Sequence, residues 1–332
     1  MDTEQIKRTK ALERLAEYRA GQVSESEYSS LIMQWGKARL LEARSDIEAF
    51  LQHPNASLRR DALDALGFLF RLQDYWPTAT QFLLYDPEYQ VRTMGASTLA
   101  ALKANSGDRQ TLGVLASVVA DSYDYELIRT DAYRAMFVVA YGYQQADVHW
   151  EEIDNPPEKI FDLQRDINWN FVNECIDPAL QEEWHAEAQT LLKHYRAGQV
   201  AEQNYYSMLR KFGRAKLQEA RQVVEDFLES AIPLLRTTAL RVLLLYLQIP
   251  GNKQIAIDMF QHDPNKDKRL AALEVLSQLL RGTRDKATLR VLYPLAYDRE
   301  WGADVFAAIL KIYPGDFGEI KDYLTSPDEE TR

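Results

Sequence analysis

The sequence predicts an all-α chain, and three observations support that. Apolar residues recur at helical spacing through most of its 332 residues. A long stretch is written twice, and a shorter unit recurs inside each copy. The first copy reads YRAGQVSESEYSSLIMQWGKARLLEARSDIEAFL from Tyr18, and the second reads YRAGQVAEQNYYSMLRKFGRAKLQEARQVVEDFL from Tyr195. Without a gap, the same offset of 177 carries Gly36 to Gly213, Arg44 to Arg221, Arg59 to Arg236 and Asp86-Pro87 to Asp263-Pro264. A constant register over so many positions is a tandem duplication.

Taken in order, residues 3–20 have helical spacing and stop at Gly21, a residue that tolerates the positive φ of a helix end. Ser24 stands three before Glu27, the pattern of a capping box, and opens a helix with Tyr28, Leu31, Ile32 and Trp35 on one face. Gly36 interrupts it. Ser45 and Glu48 repeat the capping signature, and His53-Pro54-Asn55 ends the short helix that follows.

Beyond this point a smaller period appears. LRRDAL at 58–63, VRTMGA at 91–96 and IRTDAY at 128–133 space Arg59, Arg92 and Arg129 by 33 and 37 residues; Arg236 and Arg269 are again 33 apart. Each arginine follows a polar or Pro-containing turn and precedes Ala and Leu at helical spacing. The unit is therefore a helix, a turn and a second helix. Such a hairpin cannot bury its apolar stripe alone, so it stacks on its neighbours as an α-solenoid. Asp86 and Asp263 in the turns are read as helix caps, and the arginines behind them as bridges between turns.

On these residues the chain resembles the HEAT repeats, in particular the short bacterial form also found in phycobilin lyases. DPEYQVRTMGASTL at 86–99 carries the resemblance best, and DPNKDKRLAALEVL at 263–276 departs from it only in placing Lys268 where Val is usual. The Trp, Gly, Tyr and Pro pattern of the tetratricopeptide repeat is missing. The resemblance implies an α-solenoid of HEAT-like helical hairpins in two tandem blocks, 1–143 and 188–332, joined by a connector, 144–187. It implies a non-enzymatic protein-binding function, since some similar proteins are immunity proteins that neutralise toxins. The alternative it implies is a phycobilin-lyase-like or chaperone role on pigment proteins.

Two places mark candidate binding residues. Asp121 pairs with Asp298 at offset 177, but DAYRAMF at 131–137 pairs with DVFAAIL at 304–310 at offset 173, so the first copy carries four extra residues around Tyr123, Asp124 and Tyr125. Insertions in repeat arrays fall in loops on one face, often the binding face; a tolerated surface loop is the plainer alternative. The connector carries twelve Asp and Glu against Lys159 and Arg165, a net of −10 out of −11 for the whole chain. Trp150, Phe161, Trp169, Phe171 and Trp184 interleave with these acids, and Pro157 is expected to open a helix. Asp147, Trp150, Glu151, Glu152 and Asp154 are the candidates here for drawing in a basic protein by charge and holding it by an aromatic ring. The plainer reading has the aromatics covering the end of the first block while the acids face water.

The charge balance, 39 Lys and Arg against 50 Asp and Glu, disfavours nucleic acid as a partner and with it the basic groove of HEAT-like glycosylases. Cys175 is alone, so no internal disulfide can form, and its apolar neighbours suggest an inert thiol. No apolar run approaches the roughly 18 residues that span a bilayer, and the N-terminus lacks a signal-peptide core. A soluble cytoplasmic protein with no membrane partner is expected. The five histidines show no metal-ligand spacing, and Glu182 with His185 is only one of the two pairs a carboxylate di-iron site needs. No phosphate loop or dinucleotide fingerprint occurs. No cofactor and no catalysis are expected.

Overall fold

A computed structural model describes residues 3–146, 167–249 and 251–326, and every element among them is helical. The chain divides into two compact units, Met1–Leu180 and Gln181–Arg332. Unit 1 contains α1 (Thr3–Arg19), α2 (Tyr28–Lys37), α3 (Arg44–Glu48), α4 (Ala56–Leu63), α5 (Trp76–Tyr85), α6 (Tyr89–Leu102), α7 (Arg109–Ala120), α8 (Glu126–Tyr141) and α9 (Trp169–Cys175). The division falls within α10 (Pro178–Arg196). Unit 2 continues through α11 (Tyr205–Arg214), α12 (Arg221–Asp226), α13 (Pro233–Arg241), α14 (Asn252–His262), α15 (Lys266–Leu279), α16 (Lys286–Leu292), α17 (Gly302–Ile312) and α18 (Phe317–Thr325). In each unit, successive hairpins pack neighbour to neighbour, an all-α, solenoid-like arrangement.

The duplication extends to the backbone. Gly21 and Gly198 end the first helix of each copy at φ 71° and 70°; Arg39 and Lys216 turn at 47° and 48°, and Arg71 and Gln248 at 56° and 48°. Both copies widen into π-helical turns, at Asp64–Leu69 and Val242–Tyr246. Tyr18, Tyr28 and Phe50 form an aromatic cluster that Tyr195, Tyr205 and Phe227 repeat. Main-chain bonds also locate the four-residue insertion. The Asn105 and Gly107 amides donate to Val138 and Val139, while those of Gly282 and Arg284, 177 residues on, donate to Lys311 and Ile312, 173 residues on.

Local chemistry explains most boundaries. The Ser24–Glu27 capping box forms, with the Ser24 amide and hydroxyl both donating to Glu27. The second expected box does not. A 3-10 turn at Leu41–Ala43 starts the helix early, so Ser45 lies inside α3, and Glu48 turns to Arg44 and Tyr75 instead. Asn55 caps α4 by accepting from the Ser57 amide. Asp108 and Asp285 cap α7 and α16 by accepting from the Thr111 and Thr288 amides. Close approach is built in at α5 and α6, where a Cβ on Gly95 would lie 2.7 Å from the Ala79 carbonyl oxygen and 2.7 Å from the Leu83 nitrogen.

Candidate protein-binding surface

The repeated arginines hold the repeats together. Arg59 donates through Nε and Nη2 to both oxygens of Asp86 at 2.9 Å, and through Nη1 to the His53 and Pro54 carbonyls. Arg92 donates Nε–H to the Leu83 carbonyl at 2.7 Å and its two terminal nitrogens to Asp124. Arg129 donates to the Val119 carbonyl, and Arg269 to the Phe260 carbonyl. Leu83, Val119 and Phe260 lie in the last turns of α5, α7 and α14, whose carbonyls have no partner within the helix. Each arginine thus binds the end of the preceding helix. The bridging arginine of the sequence reading holds in unit 1, but the turn acids are not the caps. Asp86 and Asp263 accept from the Glu88 and Asn265 amides within the turns, Glu88 holds the cap position of α6, and Asn265 caps α15.

The insertion has two structural effects. It starts α8 three residues earlier than the 173 offset from α17 would give, and it delivers Asp124 to Arg92. Asp124 was a candidate for meeting a partner, but it faces inward: the Arg92 and Asp124 side chains are 1% and 0% exposed. A buried guanidinium needs a carboxylate, and this need draws Asp124 into the core. Tyr123 is half-buried, its amide bonded to Asp121. Tyr125 is 46% exposed and its amide donates to Asp124.

One turn before Arg92, Tyr89 is also 49% exposed. Glu88 and Glu126 beside these two rings are exposed as well, and so is Leu127. Because Arg92 ties the start of α6 to the turn before α8, the buried pair fixes an acidic rim with two tyrosines. No family model matches this chain, and no curated protein does.

What the rim can do follows from its chemistry. Two aromatic rings on helix starts offer apolar contact area at small entropic cost, and the flanking glutamates set a negative local potential. Sequence reasoning pointed to Tyr123–Tyr125 but missed Glu88, Tyr89 and Leu127. The available signal was position: Tyr89 sits three residues ahead of one repeated arginine and Tyr125 four ahead of the next.

Asp147, Trp150, Glu151, Glu152, Asp154 and the helix expected from Pro157 lie outside the described residues. Within residues 167–180, Phe171 packs against Phe137 and Tyr141, the Asn168 amide donates to the Tyr133 hydroxyl, and Ile167, Val172 and Leu180 are buried. This part of the connector covers the last hairpin of unit 1. Cys175 is half-buried, and burial, with Glu174 nearby, pushes its thiol pKa up. Trp184 belongs to unit 2, where Arg214 stands 5.7 Å from its ring centroid. His185 places Nδ1 3.1 Å from the Ala215 carbonyl oxygen. Among the described residues no group of three or more His, Cys, Asp or Glu could hold a metal ion, and no helix is long and apolar enough to cross a membrane.

Proposed function

We propose that this chain is a non-enzymatic, HEAT-like protein-binding scaffold whose partner is a basic protein, engaged at the acidic, tyrosine-bearing rim of unit 1. The supporting observation is the rim itself: Tyr89 and Tyr125 exposed beside Glu88 and Glu126 and held by the buried Arg92–Asp124 pair. Acidic residues at such a rim speed encounter with a basic surface, and aromatic rings supply the contacts that persist after it. The specific activity we propose is stoichiometric neutralisation of that partner, as an inhibitor or immunity-type protein, in the cytoplasm.

The test is capture from lysate at low and moderate salt, read by mass spectrometry, with the wild-type chain beside a Tyr89→Ala/Tyr125→Ala double variant. A basic protein held by the wild type, released by salt and lost from the variant supports the reading. Identical capture by both chains removes the rim as the binding surface.

A further inference from the structure

The two copies treat the same face of their last hairpin differently. In unit 1, Tyr133 and Phe137 of α8 are buried under the connector: the Asn168 amide donates to the Tyr133 hydroxyl, and Phe171 packs 5.4 Å from Phe137. At offset 173 those positions on α17 are Phe306 and Leu310. Phe317, at the start of α18, reaches Phe306 from one side, with the ring centroids 4.5 Å apart. Phe306 nevertheless stays 39% exposed, and Tyr297, beside Phe317, is 69% exposed.

Helix α17, GADVFAAILKI, is apolar almost all round, a composition that suits a helix enclosed on every side. Val305, Ala308, Ile309 and Ile312 are buried, on the side that packs against α15. Ala303, Phe306, Ala307 and Leu310, at i, i+3, i+4 and i+7, form a second apolar stripe. The first three are exposed and Leu310 is half-buried. Asp304 in the first turn and Lys311 in the last are exposed along one edge of this stripe.

We propose that this stripe is covered by the same stripe of a second copy of the chain, the two α17 helices pairing antiparallel in a two-fold dimer. The pattern is self-complementary, as a two-fold interface requires. Ala303 and Ala307 leave a hollow between the larger side chains, and Phe306 of the second copy fills it. Antiparallel pairing sets Asp304 of each copy opposite Lys311 of the other and opposes the two helix dipoles. Parallel pairing would set Asp304 against Asp304. Repulsion between two chains of net charge −11 acts at long range and is screened within about 8 Å at physiological ionic strength, so the contact pairs decide. The stripe lies on unit 2 and the tyrosine rim on unit 1, so neither depends on the other.

The test is sedimentation equilibrium of the full chain across a concentration series, in which a species of twice the chain mass should accumulate. Phe306→Glu should weaken the dimer about thirtyfold or more, as loss of a central interface aromatic does. Ala307→Lys blocks the hollow while keeping the Phe306–Phe317 contact, and should do the same. Asp304→Lys and Lys311→Asp should each weaken it about tenfold, because each sets like charges together at both ends. An equimolar mixture of those two variants should dimerise again, since every 304–311 pair then carries opposite charges. All four positions are exposed, and an unchanged melting temperature in dilute solution would verify folding. A monomer at every concentration overturns the inference and leaves the stripe to a different protein. A dimer that survives both stripe substitutions also overturns it, and a mixture that fails to recover overturns the antiparallel pairing.

Discussion

Arg92 donates to both carboxylate oxygens of Asp124, 32 residues away, and the two side chains are almost wholly removed from solvent. In the second copy the equivalent arginine, Arg269, is only half-buried and meets a ring instead. It sits 4.1 Å from the centroid of the Trp301 ring, at the position that offset 177 assigns to Asp124. A carboxylate neutralises the guanidinium; an indole face attracts it without a counter-charge.

Removing Asp124 leaves a buried, uncompensated charge. Asp124→Ala should destabilise unit 1 by about 3–5 kcal/mol, the usual penalty for breaking a buried pair from one side. Hydrogen exchange read by mass spectrometry should show faster exchange in α6 and α8, with α14 and α15 unchanged.

Gly95→Ala sets two effects against each other. Alanine favours a helix by about 1 kcal/mol over glycine. Its methyl would meet backbone atoms of α5 at 2.7 Å, and overpacking of this kind costs about 1–3 kcal/mol. The clash is with main chain, which yields less readily than a side-chain tip, so a net loss is expected. A rise in the urea midpoint of the variant would show that α5 moves aside.

Two half-buried carboxylates give a pH signature. Burial, with Asp61 adding to it, raises the pKa of Asp64; burial raises that of Asp131 against the opposing effect of Arg134. A carboxyl raised in the folded state binds its proton more tightly there than in the unfolded chain. Its charged form therefore penalises folding at neutral pH, and the penalty vanishes once the pH falls below the ordinary carboxylate range. Asp64→Asn and Asp131→Asn should each raise the melting temperature at pH 7, with the gain closing as the pH falls through the folded-state pKa. A gain independent of pH would rule out charge as its source.

The caps Asp108 and Asp285 behave oppositely. Burial pushes each carboxyl up, but for Asp108 the Thr111 bonds, and for Asp285 those of Lys253 and Thr288, together outweigh it, so both pKa values end lower. Replacing either by alanine should cost about 1 kcal/mol at neutral pH. The difference from wild type should shrink in acid, as the wild-type carboxylates protonate. Thermal melts across pH would read it.

Tyr89→Ala and Tyr125→Ala should leave stability within about 0.5 kcal/mol, since both rings are about half exposed. If the rim is the contact surface, loss of a captured basic protein should accompany that unchanged melting temperature.

By itself the sequence determined the all-helical class, the duplication, its offset and the bridging arginines, because periodicity and repetition are local properties of the chain. Gly21 and Gly198, the Ser24 cap and the Arg59–Asp86 bridge follow from neighbours a few residues apart or from the repeat itself. Only the tertiary structure decided which polar residues face water. Asp124 and Tyr125 are adjacent, yet the charged residue is buried and the aromatic one exposed, because Arg92 lies opposite the first. Likewise, nothing near Trp184 in the chain shows that it packs beside Arg214, 30 residues on. Burial of a charged or aromatic group depends on what the fold brings against it, and that partner is distant in sequence.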